Sequence, residues 1–180
     1  MELYPLRPAV RQQLAANPYW EYWLDYYTIR DGSQQPYYYV HTRGSVMVIP
    51  ITADGRFVLV RQFRYLWQRE SIEFPGGGVA EGSLPIQQAL RELQEEAGYG
   101  AATIEQIGEF NPMNGVTDER CTVFVARDLS ACTRANDPVE ETLPLVLSRD
   151  ELTARIADGT IWDGMTLAAW ALFSAWQREQ

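Results

Sequence analysis

Between Phe74 and Gly98 the chain passes from a short apolar strand end through a loop holding Gly76, Gly77, Gly78 and Gly82, and then into a segment carrying Glu92, Glu95 and Glu96. No other stretch restricts the fold as strongly. Glycines in such a loop let backbone approach a ligand closely, while Pro85 suits the first turn of a helix and Gly98 its C-terminal stop. Residues three and four apart on a helix are neighbours, so Glu92 is expected to meet both Glu95 and Glu96, and Arg91 to reach Glu95. Ala89, Leu93 and Ala97, with Leu90 beside them, form an apolar face that pins the helix to a core. Alone, E-x-x-E-E reads better as a solvated acidic helix face. The glycine loop directly before it reverses that preference, because crowded carboxylates repel one another and a hard divalent cation removes the repulsion.

The segment Gly77 to Tyr99 resembles the box of the Nudix hydrolase family, G-x5-E-x7-R-E-U-x-E-E-x-G-U with U apolar or aromatic. Gly77, Arg91, Glu92, Leu93, Glu95, Glu96, Gly98 and Tyr99 match, and Ser83 stands where the first glutamate belongs. The resemblance implies metal on Glu92 and Glu96, with Glu95 assisting and the carbonyl of Gly76 as a further ligand; Mg²⁺ is the expected ion and Mn²⁺ an alternative. It gives the missing glutamate a supporting role near Arg91. Glu81 is one partial substitute, and Ser83 acting as an N-cap is another reading.

The likeness continues through Val60 to Arg64, Ile72 to Gly77, Gly108 to Pro112 and Gly115 to Arg120, which are similar to the ADP-ribose and nucleotide-sugar pyrophosphatase branch. Asn114 departs from the proline common before the residue matching Gly115. The reaction implied is hydrolysis of a nucleoside diphosphate joined to ribose or a sugar, giving two monophosphates. Arg61 is a candidate phosphate clamp, with a surface strand-end arginine as the ordinary alternative. Glu73, Gly77 and Glu119 are further candidates for substrate contact, and Arg91 supports the catalytic carboxylates. A general base is expected from the acidic loop at Glu140 or Glu141, with Glu95 as fallback. Two other readings are a nucleotide-sensing module without turnover and a hydrolase of damaged nucleoside triphosphates.

Composition narrows the remaining classes. In 180 residues, 46% of them hydrophobic, one domain with embellishments is expected. A formal charge of −9 opposes general binding to nucleic acid or to anionic membranes. Lysine is absent, which rules out a Schiff base or a P-loop lysine, and a lone histidine, His41, disfavours Ser-His and Cys-His machinery. Cys121 and Cys132 read as reduced, structural thiols in a cytoplasmic protein. Ile161 to Trp176 is too short and too interrupted for a membrane helix.

The expected architecture is a Nudix-type α/β/α sandwich, of α+β or α/β class, with a mixed sheet and an N-terminal hairpin extension. Residues 1–43 form the extension and 44–180 the hydrolase domain. Arg7 to Ala16 reads as helix, followed by an aromatic hairpin turning at Asp31-Gly32. Strands are expected at Val46 to Ile51, Phe57 to Val60, Ile72 to Phe74, Ile104 to Phe110, Cys121 to Ala126 and Leu143 to Leu147, and closing helices at Arg149 to Ala157 and Met165 to Arg178. The aromatic rings of the hairpin have three uses open to them: cover for the main domain, a wall for a nucleobase, or a homodimer interface. The resembling branch favours the last, with N-terminal strands packing between subunits and helping to complete the substrate site.

Overall fold

The computed structural model describes residues 3–134 and 141–179. Its contacts divide it into two compact units, one made of residues 1–43 with 111–120 and the other of residues 44–110 with 121–180.

The first unit is built on an antiparallel sheet of β1 (Pro8–Ala16), β2 (Glu21–Thr28) and β3 (Gln34–His41), in the order β1-β2-β3. The hairpin turn is where Asp31-Gly32 places it, with Gly32 at φ +87°, which favours glycine. The helix expected at Arg7 to Ala16 is instead strand β1. Leu6, Val10 and Leu14 recur every four residues, a spacing that fits one face of a helix and equally one face of a strand. Pairing with the strongly β-forming second strand decides the matter, over the helix propensity of the alanines and glutamines. The segment 111–120 is tied to β3, with Val40 N–H donating to Val116 O at 2.9 Å and Tyr37 Oη donating to Gly115 O at 2.9 Å.

The second unit holds two sheets. One is mixed, in the order β7 (Gly76–Gly78), β4 (Ser45–Pro50), β9 (Cys121–Ala131), β8 (Tyr99–Phe110), with β4 and β9 parallel. The other is antiparallel, β10 (Thr142–Leu147), β5 (Phe57–Arg64), β6 (Arg69–Glu73). Strand alternation sends successive residues into opposite cores. Met47, Ile49, Phe57 and Leu59 pack with Leu152 of α2 (Arg149–Ala157) and with Ala169 and Phe173 of α3 (Gly164–Trp176). Val46, Val48, Val58 and Val60 pack with Ala89 of α1 (Pro85–Glu92) and with Leu93 and Ala97 of the turn that follows it. Helices therefore cover both faces of strands that are apolar on both sides, the expected three-layer arrangement. Among the described residues, no helix is long and apolar enough to cross a membrane.

Two ties set the floor beneath the glycine loop. Asp163 caps α3 by accepting the Thr166 N–H at 2.7 Å, and the Thr166 hydroxyl accepts the Phe74 N–H at 3.1 Å. Val48 N–H donates to Pro75 O at 2.8 Å, so the strand end enters the loop at a defined height.

Candidate active site

The acidic segment is not one continuous α-helix. After α1 the chain widens into a π turn over Leu93–Ala97, closed by Gly98 at φ +75°. Bonds from i to i+5 widen the turn, so residues four apart stay on one side better than residues three apart. Glu92 and Glu96 accordingly reach the same loop, while the Glu95 side chain is exposed. The expected clustering of all three carboxylates is replaced by a pair. Among the described residues, no group of three His, Cys, Asp or Glu side chains is drawn together as a ready-made metal site.

The pair is closely fitted to the loop. Glu96 is 7% exposed, and its Oε2 accepts the Gly76 N–H at 2.8 Å. A Cβ on Gly77 would lie 2.3 Å from Glu92 Oε1, and one on Gly76 would lie 2.4 Å from the Val46 carbonyl oxygen. A side chain at Gly76 would strike backbone of its own sheet, and one at Gly77 would displace a carboxylate. The donors are hard oxygens, and Mg²⁺ is commonly held by one or two carboxylates with water and phosphate completing its shell, so the residues present fit such an ion.

Gln88, which the sequence reading passed over, is 5% exposed and lies between loop and helix. Its Nε2 donates to Glu92 Oε1 at 2.7 Å, and its Oε1 accepts the Ala80 N–H at 3.4 Å. Ser83 is not the helix cap. Leu84 occupies that position without a side-chain cap of its own, and the Gln87 side chain reaches back to accept the Leu84 N–H at 3.1 Å. Ser83 N–H donates instead to Ala80 O at 3.0 Å, closing the turn before the helix.

Glu73 is 3% exposed and accepts from Arg64 Nε at 2.7 Å, from Arg64 Nη2, and from Gln62 Nε2 at 3.1 Å. Its oxygens are engaged with protein donors. Arg64, also missed in the sequence, is the half-buried cation here; hydrogen bonding to Glu73 pushes its pKa up, with Asp163 and Glu96 adding to the effect. Arg61, the expected phosphate clamp, makes a bidentate pair with Glu70 at 3.0 and 2.6 Å on an exposed surface. That pairing lowers the Glu70 pKa and raises that of Arg61. Exposed pairs of this kind are weak and exchange readily. Arg91 is exposed on the last turn of α1.

Behind the π turn, the Thr142 hydroxyl donates to Glu96 O at 2.9 Å, and Arg134 donates to Thr142 O at 2.6 Å and to Glu95 O at 3.4 Å. These bonds satisfy carbonyls that a widened turn leaves open. Glu141 is exposed and directly precedes Thr142, one residue from the tie to Glu96. Glu140 lies outside the described residues. Glu119 belongs to the first unit, where its carbonyl accepts the Asn111 side-chain amide at 2.8 Å.

Comparison with known proteins places the chain in one family and one fold. The model of the NUDIX domain matches residues 41–164. An ADP-ribose pyrophosphatase of Bacillus subtilis (strain 168) is 34% identical over 126 residues, covering 63% of this chain and 68% of that protein. The methanol dehydrogenase activator of Bacillus methanolicus is 35% identical over 128 residues, covering 70% of this chain and 69% of its own. A crystal structure of an ADP compounds hydrolase superposes with a TM-score of 0.83 at 19% identity, over 100% of this chain and 98% of that one, a likeness of fold.

Proposed function

The chain belongs to the Nudix hydrolase family as an enzyme acting on nucleoside diphosphates joined to a second group, and we propose that its substrate is ADP-ribose or a closely related nucleotide sugar. The observation carrying this reading is the pair of carboxylates, Glu92 and Glu96, that meet adjacent glycines of one loop. An ADP-ribose pyrophosphatase among the relatives at 34% identity supports the choice of substrate.

Glu92 and Glu96, with Glu95 and the Gly76 carbonyl, are the proposed holders of Mg²⁺, or Mn²⁺ in its place. Such an ion neutralises pyrophosphate oxygens and makes a bound water more acidic. The glycine loop lets the pyrophosphate come close to the backbone. Arg64, which feels the charge of Glu96, is a cation that could steady a phosphate, and it is held in place by Glu73. Arg61 becomes available as a second clamp by leaving Glu70, with Arg91 and Gly77 as further contacts. A carboxylate takes the proton from the attacking water: Glu141 or Glu140, with Glu95 as fallback. The water oxygen bonds to one phosphorus, the bridging oxygen leaves with the other, and two monophosphates result.

Residues 1–43 are proposed as a dimerisation extension. Every residue of β1 is exposed, including Val10 at 56% and Leu14 at 41%, and β1 forms a sheet edge. Apolar edges of this kind are usually covered. A cytoplasmic location is proposed from the sequence, which carries only two cysteines. The deciding experiment presents ADP-ribose, ADP-glucose, GDP-mannose, dinucleotides and nucleoside triphosphates with Mg²⁺ or Mn²⁺ and identifies the phosphate products. Release of AMP from ADP-ribose ahead of all others supports the assignment, whereas preference for triphosphates overturns it.

A further inference from the structure

The box glutamate replaced by Ser83 leaves the glycine loop without its expected supporting carboxylate, yet the loop and the Glu92 side chain are joined by Gln88. We propose that Gln88 is a positioning residue, aiming the Glu92 carboxylate at the glycine loop and thereby setting the affinity for the divalent cation. The inference rests on the metal-site reading above.

An amide suits this position: Gln88 accepts the Ala80 N–H and donates to the Glu92 carboxylate from one buried end group. These two bonds fix which way round the amide lies. Two consequences follow from the turn it grips. Ser83 N–H closes onto Ala80 O at 3.0 Å, so holding Ala80 holds the turn in which the missing glutamate would stand. Gly77 sits against Glu92 Oε1, the oxygen that Gln88 binds, so the carboxylate is held from the helix side and stopped on the loop side. Outer residues that orient a metal-binding side chain commonly change metal affinity by about 10- to 100-fold when removed.

Gln88→Met keeps length and volume without the hydrogen bonds, and Gln88→Asn keeps the amide but is one methylene too short to reach both partners. Both are made in the full chain and compared with wild type by titration with Mn²⁺, using electron paramagnetic resonance to count free ion, and by thermal midpoint with and without Mn²⁺. The expected result is a Mn²⁺ Kd raised about 10-fold, a smaller Mn²⁺-induced rise in midpoint, and a metal-free midpoint close to wild type. The apparent metal constant for hydrolysis should rise in parallel, with kcat at saturating metal nearly retained. A Kd within twofold of wild type in either folded variant overturns the proposal, and so does loss of cooperative folding in both, which would make Gln88 a fold determinant. Failure of wild type itself to bind Mn²⁺ would sink the metal-site reading instead, so the two failures are distinguishable.

Discussion

The Glu96 carboxylate accepts the backbone N–H of Gly76 at 2.8 Å, joining the end of the acidic segment to the start of the glycine loop across twenty residues of chain. A glutamine can keep that hydrogen bond while lacking the charge. Glu96→Gln and Glu92→Gln should therefore each reduce metal-dependent hydrolysis by at least about 100-fold without lowering the metal-free thermal midpoint. Near wild-type turnover of either variant at saturating Mg²⁺ would remove both residues from the site.

Three consecutive glycines make an internal control. Alanine at Gly78 meets nothing within 4 Å and should be silent in stability and activity. Alanine at Gly77 meets the Glu92 carboxylate, which must move, and misplacement of such a group by about 1 Å can lower rate about 100-fold. Gly76→Ala meets a backbone carbonyl that cannot yield, so its main effect is a stability loss of about 1–3 kcal/mol. Denaturant midpoints and steady-state rates on the three variants separate these outcomes; a common effect for all three contradicts the assignment.

Much of this site was legible because its parts are local. The glycine loop, Pro85 and Gly98 carry backbone requirements that show in residue type, and Glu92 with Glu96 follows from spacing. The exposed position of the Glu95 side chain was not legible, because an unbroken α-helix and a π turn have nearly the same sequence pattern, and Arg134 and Thr142, about forty residues away, tie the carbonyls of the turn. Gln88 was accessible in principle, since it lies four residues before Glu92 on the same helix. Arg64 was not, because the choice between Arg61 and Arg64 as partner of Glu73 depends on strand register. The first strand was misread for a related reason: its apolar spacing suits both periods, and only its neighbour in the sheet decides.

Arg64→Met removes the principal donor to a buried carboxylate. Breaking a buried pair commonly destabilises by several kcal/mol, but Arg64 is partly exposed and Gln62 remains bound to Glu73, so about 2 kcal/mol is expected. Adding Glu73→Gln should recover part of the loss, because the stranded charge is then gone. Urea denaturation of the single and double variants provides the check; an additive double variant would exclude the coupling.

Asp163 gives a pH dependence of definite sign. Burial, with Glu73 as the second cause, holds its carboxyl above the ordinary value of 3.8. Folding thus favours the protonated form. This contribution is complete below the ordinary pKa and is lost as pH rises through the folded one. Asp163→Asn retains an acceptor for the Thr166 N–H and has no charge to bury. Its thermal midpoint should exceed that of wild type near neutrality, with the gap narrowing as pH falls toward 4. A gap that stays constant with pH would assign the effect to something other than this carboxyl.

An edge strand exposed along its whole length, carrying Val10 and Leu14, provides the test of association. Two such edges brought together bury apolar side chains and pair open backbone groups, which one chain by itself leaves to water. Val10→Glu with Leu14→Lys replaces both contacts by charges and leaves the register of β1 with β2 untouched. Light scattering on the wild-type chain at micromolar concentration should give twice the 20.6 kDa chain mass, and the double variant should give the chain mass itself. A wild-type monomer refutes the dimer. A double variant that remains dimeric moves the interface away from β1, leaving the aromatic rings of β2 and β3 as the next surface to test.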